Sequence, residues 1–192
     1  GYMEYVEAKT FLHQIDAASL MDEAEREYIF TLARNINDPI AEVGCCYGGT
    51  SILMALASHA EIYAIDNGAA SNQEETCRRN IENSGCKDSI HFIQEEADLS
   101  ANAFANEYFG LVFIDADHER EHPYLDLTAW APKLKKGGYL LIDDFSVGYP
   151  GVTRGVIRFL TEHHNFTYVT SFERTSGPHR QVKLLVLQKN MI

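Results

Sequence analysis

From residue 39 onward the chain alternates between short, continuous apolar runs and longer segments whose apolar positions recur every three or four residues. A short apolar run is the pattern of a strand buried on both faces; the longer period is that of an amphipathic helix. The runs at 40–43, 62–65, 90–93, 111–114 and 139–142 are therefore expected to be strands, with helices between them. Strand, helix and strand in succession form the βαβ unit, which makes neighbouring strands parallel. The pattern changes after His164. The runs 166–172 and 182–187 are separated by a Ser176-Gly177-Pro178 turn and no helix, which predicts an antiparallel hairpin. Ahead of residue 39 the spacing is helical, with Phe11, Ile15 and Ala18, then Ala24, Tyr28 and Leu32, broken near 19–22. The chain is thus expected to be α/β, with a seven-stranded, mostly parallel sheet, a C-terminal antiparallel hairpin and helices on both faces. A helical cover over 1–38 would precede one compact domain over 39–192.

Composition narrows what such a chain binds. At 192 residues it is long enough for one sizeable core and short for two average domains. A formal net charge of −12 repels phosphate backbones and anionic lipid, so neither nucleic acid nor a membrane surface is an expected partner. No apolar run approaches the roughly 20 residues of a membrane span, and Gly1-Tyr2-Met3-Glu4-Tyr5 lacks the basic-then-apolar order of a secretion signal. Cys45, Cys46, Cys77 and Cys86 show no CxxC spacing and fit free thiols in a reducing cytoplasm.

The first apolar run leads into Glu42-Val43-Gly44-Cys45-Cys46-Tyr47-Gly48-Gly49-Thr50-Ser51, a strand end that opens a helix. Glycines there let the backbone approach a ligand, although a plain turn favours glycine too. Asp66 ends the next run about twenty residues on, where an acid accepts both hydroxyls of an adenosine ribose. That spacing suits a nicotinamide cofactor equally well, but the loop departs from the GxGxxG fingerprint. An acid, any residue, a glycine and further glycines resemble the first motif of the Rossmann-like class I S-adenosylmethionine-dependent methyltransferases. The resemblance implies that Gly44 and the residues after it, Tyr47 and Gly48 among them, pass under the methionine part of the cofactor. Glu42 belongs to the same set, and Asp66 with Asn67 holds the ribose. After the third run, in Gln94-Glu95-Glu96-Ala97-Asp98, family members present a contact to the adenine; Glu96 and Ala97 are the matching positions. Acids at that point also suit an ordinary helix start.

Two further runs end in paired acids: Leu111-Val112-Phe113-Ile114-Asp115-Ala116-Asp117-His118 and Leu140-Leu141-Ile142-Asp143-Asp144. In a parallel sheet these ends share one edge, so the carboxylates gather at the ligand crevice. Clustered carboxylates stay ionised only if a cation or donors offset them, and a hard divalent ion such as magnesium does so. At this point the chain is similar to the cation-dependent O-methyltransferases, such as the catechol, caffeoyl-CoA and antibiotic-sugar enzymes. Carried over, the metal ligands are Asp115, Asp143 and Asp144, with Asp115 and Asp143 catalytic, and Asp115 and Asp117 near the cofactor. His118 is a candidate base or acceptor contact, with a loop histidine as its rival role. The basic residue that the catechol and caffeoyl-CoA patterns carry shortly after the first metal acid is missing.

His118-Glu119-Arg120-Glu121-His122 also fits HExxH, the zinc pattern of a continuous helix. Pro123 denies it that helix, because the residue before a proline is pushed from helical geometry and proline favours a first helical turn. Phe145 and Tyr149, in the Gly/Pro-rich loop after the acids, are candidates to touch an acceptor, with an ordinary exposed turn into the next helix as the alternative. Trp130 and Leu134 are read as core on one helix, and a helix is expected over 153–164. The N-terminal helices either cover the cofactor cleft or form a homodimer surface. The resulting expectation is methyl transfer from S-adenosylmethionine to a hydroxyl of a small acceptor, assisted by a divalent cation. A nicotinamide-dependent oxidoreductase and a non-catalytic S-adenosylmethionine-binding protein are the alternatives.

Overall fold

In the computed structural model, which describes residues 3–70, 72–115, 118–146 and 148–192, the apolar runs are strands and their flanks helices, as the pattern predicts. The chain divides into two compact units, Gly1–Glu96 and Ala97–Ile192. The first holds α1 (Tyr5–Gln14), α2 (Glu23–Arg34), β1 (Ile40–Val43), α3 (Gly49–Ala57), β2 (Ile62–Asp66), α4 (Gln73–Ser84) and β3 (Ile90–Gln94). Its strands lie parallel in the order β3-β2-β1. All four residues of β1 are buried, as are Ile62, Ala64 and Ile65 of β2, so both faces of these two strands are covered, whereas β3 is buried only at Ile90.

The second unit holds α5 (Ala97–Ser100), β4 (Phe109–Ile114), α6 (His122–Trp130), β5 (Leu134–Asp143), α7 (Pro150–Glu162), β6 (Phe166–Ser176) and β7 (His179–Lys189). β4 and β5 are parallel, and the β6–β7 hairpin joins β5 antiparallel through β7. The order within this unit is β4-β5-β7-β6, and the chain carries the mixed and mostly parallel set of seven strands expected from the sequence. Phe109, Phe113, Trp130 and Phe159 fill the second unit's core, and Trp130 Nε1–H donates to the Ala97 carbonyl at 2.7 Å. Among the described residues no helix is long and apolar enough to cross a membrane.

Several local expectations are corrected. Leu134 is buried, but as the first residue of β5; Pro132 ends the helical stretch and the strand runs on through Gly137-Gly138. The buried face of α2 is Glu25, Ile29 and Ala33 with Phe30, one residue round from Ala24, Tyr28 and Leu32. α1 stops at Gln14, so Ile15 caps it and Ala18 lies beyond it. α7 starts at Pro150, three residues earlier than expected, because proline at the first turn gives up no hydrogen bond. Its inner face, Val152, Val156 and Phe159, keeps helical spacing.

Candidate active site

In the first unit Val43 stands opposite Ile65, so Gly44 and Asp66 leave parallel strands side by side. The N–H groups of Gly44 and Cys45 both donate to the Ile65 carbonyl, at 2.7 and 2.9 Å. Asp66 then ties down the turn: Oδ2 accepts the Cys46 N–H and Oδ1 the Gly68 N–H, each at 2.9 Å. A carboxylate has about four acceptor sites, so room for a vicinal diol remains on Asp66. Gly48 has φ +90°, and a Cβ there would also lie 3.1 Å from Cys77 Sγ. At Gly49, the start of α3, a Cβ would fall 2.6 Å from the Ala18 carbonyl oxygen. The two glycines therefore set how closely this loop is packed.

Glu42, 3 % exposed, accepts the Ser51 hydroxyl at 2.6 Å and so fastens the end of β1 to α3. Tyr47 is 40 % exposed, while its carbonyl accepts from Asn80 Nδ2 at 2.8 Å. Asn67 Nδ2 reaches Glu96 Oε2 at 3.5 Å. The structure thus brings Glu42, Gly44, Tyr47, Gly48, Asp66 and Asn67 to one strand edge and Glu96 beside Asn67. Ala97 opens α5 in the second unit, and Asp117 lies outside the described residues. The Ser19 and Thr50 hydroxyls, 2.7 Å apart and buried, were not singled out by the sequence pattern.

In the second unit Ile114 stands opposite Ile142, which sets Asp115 beside Asp143. β7 runs antiparallel with Leu184 opposite Asp143, so Lys183 is carried to the acids. Lys183 and Asp143 form a buried ion pair, and Lys183 Nζ also stands 3.4 Å from Asp144 Oδ1. Asp144 takes φ +55°, rare outside glycine. Its Oδ2 lies 3.1 Å from His118 Nε2, which is 3.3 Å from Asp115 Oδ1. The His118 ring stacks on Tyr149 with centroids 4.0 Å apart and planes at 18°. Beside Asp115, His118 and Asp143 is a small recess walled by Pro123, Leu127 and Val152.

The electrostatics follow from these contacts. Hydrogen bonds to Asp115 and then Asp144 push His118 up to about 10, against the opposing effect of burial. Burial, with the Asp115 charge next, raises Asp143 to about 8, while Lys183 pulls the other way. Burial also pushes Asp144 upward, but the His118 hydrogen bond and Lys183 outweigh it and leave the carboxyl below its ordinary value. Asp115, His118 and Asp144 each present a ligand atom within 4.8 Å of the others, which fits a divalent ion. Lys183 went unnoticed in the sequence. Its signal was a lone lysine inside the apolar run 182–187, since lysine is almost never fully buried unpaired. The HExxH segment is not helical from its start: Arg120 has φ +52° and α6 begins only at His122.

Residues 41–145, more than half of the chain, match the family model described as a methyltransferase domain. The chain belongs to the methyltransferase domain family. The matched stretch contains the glycine loop, Asp66 and both acid pairs of this methyltransferase, and it removes the nicotinamide oxidoreductase alternative. No curated protein matches the sequence. Among solved structures, the O-methyltransferase from Bacillus cereus in complex with SAH is similar at 16% identity and TM-score 0.72, over 95% of this chain and 90% of that one. The O-methyltransferase TomG from Streptomyces achromogenes, involved in tomaymycin synthesis and solved with SAM, is similar at 18% identity and TM-score 0.68, over 97% and 89%. A methyltransferase from Geobacter sulfurreducens gives 17% identity and TM-score 0.66, over 97% and 88%. At such identities the likeness is one of fold.

Proposed function

We propose that this methyltransferase transfers a methyl group from S-adenosylmethionine to a hydroxyl of a small-molecule acceptor, with a divalent cation at the strand-end acids. The observation that carries the reading is the pair of carboxylates, Asp115 and Asp144, that meet at His118 beside Asp143 in a chain of this family. The SAH and SAM bound to the Bacillus cereus and TomG neighbours support the choice of cofactor. When bound, S-adenosylmethionine supplies a sulfonium methyl as the electrophile. A divalent ion supplies Lewis acidity that lowers the pKa of the acceptor hydroxyl.

This chain's own residues do the rest. Asp66 accepts the ribose hydroxyls with Asn67 beside it, and Glu96 and Ala97 are assigned to the adenine. The turn from Gly44 to Gly48, locked by Glu42 and Ser51, offers bare backbone to the methionine part. Asp115, His118 and Asp143 are the groups assigned to catalysis, and the role of a cofactor contact is assigned to Asp117. Burial and the Asp115 charge make Asp143 a stronger base than an ordinary carboxylate, which suits a group assigned to receive the acceptor proton. Tyr149 and the apolar wall of the recess favour a compact acceptor. A cytoplasmic location goes with this reading, since the four cysteines show no CxxC spacing.

Calorimetry tests the cofactor: S-adenosylmethionine and its demethylated product should bind at micromolar order, the usual range for enzyme ligands. No heat with either overturns the proposal. A screen of catechols, sugars and acyl-phenols should yield methyl ethers, with turnover lost in a chelator. Binding without transfer to any hydroxyl would leave a non-catalytic cofactor-binding protein.

A further inference from the structure

The cation-assisted reading, on which this inference rests, names three aspartates, and the structure divides them. Asp143 is turned to Lys183, their side chains 4 and 8 % exposed. Asp115 and Asp144 instead meet an imidazole, with His118 Nε2 at 3.3 and 3.1 Å. Adjacent ligands of a six-coordinate ion with bonds near 2.1 Å stand about 3 Å apart. His118 Nε2 has nearly that spacing from each carboxylate, all three donor atoms lie within 4.8 Å of one another, and stacking on Tyr149 fixes the ring that carries the nitrogen. Asp143 would have to abandon a buried ammonium to join them, leaving an uncompensated charge.

We infer that the divalent ion is held by Asp115, His118 and Asp144, with Asp143 withdrawn by Lys183, and that this mixed nitrogen and oxygen set selects a first-row transition ion over magnesium. Magnesium takes oxygen ligands and keeps its waters, whereas imidazole suits the later first-row ions. Lys183 is then a positioning residue: it decides which carboxylates face the ion without touching it.

The test is ion binding to the full chain with no acceptor present. Titration calorimetry should show cobalt(II) binding at least about tenfold more tightly than magnesium, as expected of a site with an imidazole donor. His118→Gln should abolish that preference, and Asp143→Asn should leave cobalt affinity within about threefold. Bound manganese should show imidazole nitrogen coupling by electron paramagnetic resonance, a readout in the unaltered protein. Magnesium binding as tightly as cobalt, no nitrogen coupling, or Asp143→Asn weakening cobalt as much as Asp144→Asn would overturn the inference while leaving cation assistance intact. If no divalent ion binds with or without S-adenosylhomocysteine, both fall.

Discussion

Replacing Lys183 with methionine keeps most of the side-chain volume and removes one charge from a site where Asp143 is 4 % exposed. Taking one partner from a buried ion pair costs about 3–5 kcal/mol. Burial and the Asp115 charge already raise Asp143 against the pull of Lys183, so losing the ammonium pushes it further toward its neutral form. That escape places the cost at the lower end, about 3 kcal/mol, or roughly 6–12 °C in Tm for a chain of this size. Asp143→Asn is milder, because Lys183 keeps Asp144 at 3.4 Å; about 1–2 kcal/mol is expected, as for a buried hydrogen-bonding group left poorly matched. The double variant should cost less than the two changes added, by at least about 1 kcal/mol. Urea unfolding at pH 7, followed by near-ultraviolet circular dichroism, measures all three. Costs that add to within about 0.5 kcal/mol would show that the two side chains do not act as a pair.

Asp66→Ala removes the acceptor of two backbone N–H groups and the assigned ribose contact, so affinity for S-adenosylhomocysteine should fall about 10–100-fold by calorimetry, with Asp66→Asn between. An affinity within twofold of the parent would take Asp66 out of the site. His118 is raised from 6.5 to about 10, so the folded state favours its protonated form. Its contribution is fully present below pH 6.5 and is lost as pH rises through about 10. The Tm difference between the parent and His118→Gln in a chelator should be widest near pH 6 and close by about pH 10.5; a gap that widens with pH refutes the assignment.

The strands were legible because their residues are apolar without interruption, and only the cores of parallel sheets ask for that. The first half of β5 was not, since Lys135, Lys136, Gly137 and Gly138 carry no strand pattern and are held in place by neighbours. The face of α2 was misread by one position because a polar residue, Glu25, occupies a buried site. The first unit's loop was read nearly whole, as glycines and Asp66 act close to where they stand in sequence. The acids were harder. Asp143 and Asp144 look equivalent as neighbours, but the positive φ at Asp144 sends the second carboxylate to His118, and Lys183 reaches the first only through the tertiary position of β7.

That position of β7 has a consequence for synthesis of the chain. Lys183 follows Asp143 by 40 residues, about 2–8 s of translation at ordinary rates. The β6–β7 hairpin can close locally, but its inner strand, the one that docks on β5, is the later made. Until it docks, β5 presents an unpaired edge through Leu140, Leu141 and Ile142, a template for pairing with another chain. Slow translation of the hairpin lengthens that interval, so yield of soluble protein should depend on how β6 and β7 are decoded as much as on the stability of the finished sheet.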